Sequence, residues 1–155
     1  MAVSQVRVAQ VVDMHGGANK AVKIKSAYIS SPTDNTETGT GIVLPTNALV
    51  EDVWVRVVTA DATETLNVGV SGGSQDAADG YLSGVSLATN ASSAIRVGSL
   101  VSGSVTRGGL LKETGASGEV VAKPDILSGG GEVTYTTSSG TDTAQFIVYV
   151  KYLEL

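Results

Sequence analysis

Glu51-Asp52-Val53-Trp54-Val55-Arg56-Val57-Val58-Thr59 decides the fold class. Val53, Val55 and Val57 share one parity, and Asp52, Trp54, Arg56 and Val58 share the other. Side chains of an extended chain alternate between two faces, so this is a strand with one apolar face and one mixed, partly covered face. The same alternation recurs in both directions. Upstream, residues 3–12 alternate Val6 and Val8 with Gln5 and Arg7, and residues 20–29 set Val22 and Ile24 against Lys23 and Lys25, the pattern of a half-exposed strand. Ile42-Val43-Leu44 is a short strand that Pro45 ends, because proline cannot donate a ladder hydrogen bond. Downstream, Thr65–Val70, Tyr81–Leu87, Glu119–Ala122, Glu132–Thr137 and Ala144–Leu153 read as strands. Residues 88–118, with Ile95, Val97, Leu100, Val101, Leu110 and Leu111 among small residues, read as two further short strands.

Turn-rich stretches separate these runs. They are Met14–Asn19, the polar residues 30–41, Asp61–Glu64, Gly72–Gly80, Gly129–Gly131 and Ser138–Asp142. Gly69 reads as a turn glycine. About eight to ten strands with turns every ~8–12 residues predict an all-β fold, an antiparallel β-sandwich or jelly roll. One domain is expected over residues 1–155, with residues 1–40 as an N-terminal arm that contacts partners.

The last strand carries a second message. Phe146, Val148, Val150 and Tyr152 lie on one face; Ile147, Tyr149 and Leu153 lie on the other, interrupted by Lys151. A strand apolar on both faces must be covered on both. One face meets the core, and the other is expected at an oligomer interface. Candidate subunit contacts are Phe146, Tyr149, Leu153 and Trp54, the last being readable either as a core anchor or as an interface anchor.

Composition narrows the function classes. The 155 residues include 19 glycines and no cysteine, with 16% charged residues and a net charge of -5. Absence of cysteine removes disulfides and thiolate metal sites. Net negative charge argues against a general nucleic-acid binder. The N-terminus alternates apolar and polar residues and is not a signal peptide, and no apolar run approaches the ~20 residues of a membrane helix. Charge is unevenly placed: residues 1–31 hold Arg7, Lys20, Lys23 and Lys25 against Asp13. A solvated face explains this, and so does a basic segment that docks on an acidic partner surface.

Chemistry-bearing motifs are weak. Gly69-Val70-Ser71-Gly72-Gly73 matches G-x-S-x-G, but a hydrolase elbow needs a helix after the serine and a histidine downstream of it. The sole histidine, His15, precedes Ser71, and Asp13 is its near neighbour. Asp76 and Asp79 beside Gly80 suit a hard cation or, equally, Asx turns, and the spacing is not that of an EF-hand. No cofactor and no catalytic residue is expected.

Gly41-Ile42-Val43-Leu44-Pro45, Asp52-Val53-Trp54-Val55-Arg56-Val57, Leu66-Asn67-Val68-Gly69 and Asp79-Gly80-Tyr81-Leu82 together resemble small β-sandwich proteins of tailed phages, over residues 41–90. Several of these look like jelly-roll capsid decoration (cement) proteins. The resemblance implies a non-enzymatic virion protein, made in the bacterial cytoplasm, that binds the major capsid protein from outside the lattice. It implies a homo-oligomer, with a trimer favoured over a dimer, and no membrane or nucleic-acid partner. The capsid contact is expected near Arg7, Lys20, Lys23 and Lys25. The alternative is a receptor- or carbohydrate-binding module of a head fibre, tail fibre or baseplate, since jelly rolls host that function too. Aromatic content of 5% weighs against it. Ser71 is expected to stay unlabelled by a fluorophosphonate probe, read by mass spectrometry of the treated protein.

Overall fold

The computed structural model describes residues 4–11, 22–73, 75–88, 108–114, 117, 120–138 and 143–155, with the backbone alone at 4–11, 114 and 120–122. Expectations for residues 14–19, for His15 and Lys20, and for 89–107 lie outside these. The described residues form eleven strands: β1 Ser4–Val11, β2 Val22–Ile29, β3 Thr38–Leu44, β4 Ala48–Thr59, β5 Thr65–Ser71, β6 Ala77–Ser86, β7 Lys112–Thr114, β8 Val120–Ala122, β9 Asp125–Leu127, β10 Gly131–Thr137 and β11 Gln145–Glu154. No described residue is helical.

Two sheets form the body, ordered β1-β2-β11-β4-β9 and β3-β10-β5-β6, with β7-β8 as a separate small ladder. Every strand pair is antiparallel. The pairings are nested: β2 with β11, β3 with β10, β4 with β9, and β5 with β6 at the closed end. This is a long double strand wound over two sheets, the jelly-roll arrangement of an antiparallel sandwich. β1 extends one edge, and β7-β8 falls between β6 and β9. Residues 22–29, expected within an arm, instead lie inside the five-stranded sheet, hydrogen-bonded to β1 on one side and β11 on the other.

The inner faces of the sheets make the core. Phe146, Val148, Val150 and Tyr152 of β11 are buried, as the alternation requires. Phe146 meets Tyr135 of β10 edge-to-face, with ring centroids 5.7 Å apart, so one aromatic pair ties the two sheets together. In β4 the inward parity changes. Ala48 and Val50 point inward, and so do Val53, Val55 and Val57, three residues on rather than two. The ladder shows the cause: Lys151 faces Asp52 while Tyr152 faces Val50, leaving Glu51 as an extra residue, a β-bulge. Sequence alternation therefore starts the strand at Glu51, whereas the strand itself starts at Ala48. Asp52, drawn inward at the bulge, accepts the Val53 N–H at 3.0 Å.

Two segments read as loops are strands. Thr38-Gly39-Thr40-Gly41 begins β3 on a bulged edge, where Thr40 donates its hydroxyl to the Val133 carbonyl at 2.7 Å and the Glu132 carboxylate accepts the Gly41 N–H at 2.9 Å. Ala77-Ala78-Asp79-Gly80 begins β6. Gly69 corrects a further expectation. It lies in the middle of β5 rather than at a turn, and a Cβ there would sit 1.9 Å from the Ala77 carbonyl oxygen. Glycine is required because the β6 backbone crosses at that point. Gly69→Ala is expected to destabilise the protein by about 3 kcal/mol, measured from the urea midpoint at unchanged m-value.

Candidate interaction surface

The outer face of the five-stranded sheet collects the side chains that the core does not use. On β11 these are Gln145, Ile147, Tyr149, Lys151 and Leu153, all half-buried. Register places Tyr28 and Arg56 beside Ile147, Ser26 and Trp54 beside Tyr149, Ile24 beside Lys151, and Val22 and Leu49 beside Leu153. Ile126 of β9 faces Leu49 and is 54% exposed. The result is a stripe with many apolar residues across four strands, half-buried on β2, β4 and β11 and exposed at Ile126.

An aromatic pair forms its centre. Trp54 and Tyr149 are direct cross-strand neighbours and stack flat, with centroids 5.3 Å apart and planes 5° from parallel. Stacking fixes both rings at one height above the sheet and limits their rotamers. Polar groups on this face have partners. Lys151 pairs with Glu51 at 2.7 Å, and the Gln145 side-chain oxygen accepts hydroxyl hydrogens from Tyr28 at 2.8 Å and Thr59 at 3.1 Å.

The candidate residues divide. Trp54, Tyr149 and Leu153 are brought together on this face. Phe146 is not: it is fully buried against Tyr135, because its parity is that of the core, and it is corrected from an interface residue to a core residue. Lys23 and Lys25 are also placed differently from expectation. They share the parity of the buried Ala27 and Ile29 and therefore lie on the inner side of β2, near its open end, while Val22 and Ile24 lie on the outer side. Lys25 donates to the Val43 carbonyl of the opposite sheet at 2.5 Å and holds its ammonium 5.5 Å from the Tyr152 ring centroid. Burial, then the charge of Lys23, lowers its pKa. Lys23 pairs with Glu154. Both lysines thus close the end of the core with their stems and heads, and neither is a free docking charge. Arg7 stands in edge strand β1 opposite Ser26, and Lys20 lies outside the described residues.

Leu49 and Ile126 were not foreseen. The bulge at Glu51 hides the parity of Leu49, and β9 is too short, between Pro124 and Ser128, to show alternation. The signal that existed was the doubly apolar β11, since a strand with two apolar faces demands apolar neighbours on both.

Other motifs resolve structurally. Gly69–Gly73 lies in a strand–turn–strand, not the strand–turn–helix of a nucleophile elbow. Asp79 accepts the Ser83 hydroxyl at 3.4 Å. Among the described residues, no group of three or more His, Cys, Asp or Glu is arranged to hold a metal ion, and no helix is long and apolar enough to cross a membrane.

No protein-family model and no curated protein matches the chain. A chain of the acidic stable capsid structure of Helicobacter pylori bacteriophage KHP30 is similar in fold, with a TM-score of 0.51 at 13% identity over 96% of this chain and 93% of that one. The likeness is one of fold across nearly the whole of both chains. A double-mutant cycle on Trp54→Ala and Tyr149→Ala is expected to give a coupling of about 0.5–1.5 kcal/mol in thermal or urea unfolding.

Proposed function

We propose that the protein is a non-enzymatic structural component of a virion, which binds the outside of a phage capsid lattice as an oligomer and stabilises the head. The observation that carries this reading is the half-buried apolar residues on the outer face of the five-stranded sheet, centred on the Trp54–Tyr149 stack. Ile147, Ile24, Val22, Leu49, Leu153 and Ile126 extend the face along the strands, while Ser26, Arg56 and the Lys151–Glu51 pair border the stack. Aromatic residues anchor many interfaces, and Arg is enriched beside them. The jelly-roll nesting of the strands and the fold shared with a chain of a phage capsid structure support the setting.

In this reading Trp54, Tyr149 and Leu153 make subunit contacts, with a trimer favoured over a dimer. The major capsid protein is met through the N-terminal segment, with Arg7 on edge strand β1 and Lys20 beyond it. Among the described strands β1 is the last of its sheet, and such an edge offers backbone groups for that contact. Binding at junctions between capsid subunits favours the assembled lattice over loose subunits by mass action. An oligomer engages several lattice sites at once, so weak single contacts sum to firm attachment.

Flat stacking spends one face of each ring on its neighbour, which leaves less aromatic surface for a sugar than two free rings would. Immunogold microscopy of purified virions, using antibody against this protein, is expected to place gold over the heads; gold at tail or fibre tips would favour receptor binding instead. Tyr149→Asp is expected to lower oligomerisation and head binding at least ~10-fold while unfolding stays cooperative, because it puts a charge in the centre of the patch. Sedimentation and co-pelleting with heads measure both, and unchanged values would show that this face is not the interface.

A further inference from the structure

At one end of the sandwich the connections around residues 31–37 and 60–64 meet residues 137, 138 and 143, and they bring three carboxyl groups together. Asp61 is fully provided with donors: one oxygen accepts the Thr63 N–H at 2.9 Å and the Thr63 hydroxyl at 2.8 Å, and the other accepts the Thr143 hydroxyl at 2.9 Å. Asp34 is anchored beside β10, where it bridges to Thr137 and accepts the Thr137 hydroxyl at 3.5 Å, while Asn35 donates its N–H to the Thr137 carbonyl at 2.7 Å.

Glu64 is different. It is 1% exposed, and both of its carboxylate oxygens are buried without a hydrogen bond of ordinary geometry to a described residue. Among the described residues, the groups that act on it are Asp34, Asp61 and the Thr137 hydroxyl, none of them cationic. A buried carboxylate facing two others, with a single hydroxyl beside it, is a costly arrangement. Two carboxylates cannot hydrogen-bond each other, but a carboxylic acid can donate to a carboxylate, and Asp34 is the neighbour placed to accept. A bridging cation is the other way to relieve such a cluster, but the described carboxylates are not arranged to hold one.

We propose that Glu64 is protonated in the folded protein and donates to Asp34, so that folding takes up a proton and mild acid tightens this end of the sandwich. Burial first, then its contact with Asp34 and the charges of Asp34 and Asp61, raise the Glu64 carboxyl from 4.5 to about 7. The sign follows from linkage. Between these values the folded state binds more protons than the unfolded state, so stability from this group rises as pH falls from about 7 towards 4.5. Above about 7 the folded protein must either hold a buried anion or open the cluster.

The test is a set of thermal melts of the full chain between pH 5 and 8, for the natural protein and Glu64→Gln. The natural protein is expected to gain several degrees in Tm from pH 8 to pH 5.5. Glu64→Gln, which keeps a donor but cannot ionise, is expected to remove most of that gain and to melt higher than the natural protein at pH 8. Equal pH slopes for the two proteins would overturn the proposal. So would a calcium-dependent rise in Tm at pH 8 that Glu64→Gln abolishes, since the cluster would then be a cation site. Carbon-13 NMR of the Glu64 carboxyl in the natural protein decides the matter without a variant: a midpoint near 7 supports the proposal, and one near 4.5 overturns it.

Discussion

Everything in this fold depends on seating β11 between β2 and β4. Its inner face supplies Phe146, Val148, Val150 and Tyr152 to the core, and its backbone completes the ladders on both sides. Without it, β2 and β4 would each lose a partner and β1 would extend an isolated pair. The constraint is non-local, because β2 and β11 lie at opposite ends of the described chain. Such pairings require closing a very long loop before any contact rewards it, and they make jelly rolls slow to fold. The nested pairing means that β3 with β10, and β4 with β9, close progressively shorter loops towards the β5–β6 end.

The same strand links stability to interaction. A central strand has its two faces assigned by parity: once Phe146 goes inward to Tyr135, Tyr149 must go outward to Trp54. The bulge in β4 keeps this consistent on the neighbouring strand. It lets Val50 and Val53 both face the core while Trp54 stays level with Tyr149. Without the extra residue, keeping Ala48 and Val50 inward would turn Trp54 into the core and Val53 outward, and the aromatic centre of the outer face would be lost. The interaction surface is thus a by-product of how the core is registered.

The ends of the sandwich are closed by different chemistry. At the end near Lys25, an amphipathic side chain reaches from β2 to the Val43 carbonyl and lays its ammonium by Tyr152. At the loop end, carboxyl groups of Asp34, Asp61 and Glu64 gather around hydroxyls of Thr63, Thr137 and Thr143. A cation hydrogen-bonded to a backbone carbonyl needs no titration to be stable at neutral pH. A buried carboxylate beside two others does, and this is the physical source of the asymmetry between the two ends.

By itself the sequence determined the all-β class, the strands around Val53–Val57 and Phe146–Tyr152, the stop at Pro45, and a C-terminal strand with two apolar faces. Period-two alternation is local, and it is legible wherever a strand is regular and one face is buried. What only the tertiary structure decided is everything that depends on a neighbour. Lys23 and Lys25 face inward because the sheets open at that end, although Val22 and Ile24 are the more apolar pair. Gly69 is a close crossing by β6 rather than a turn, and Leu49 and Ile126 join the outer face only through register with β11 and β4. Glu64 meets Asp34 across a connection that no local pattern foretells. Alternation gives the two faces of a strand, but which face becomes the core, and what each buried polar group must share it with, is decided by the strands that pack around it.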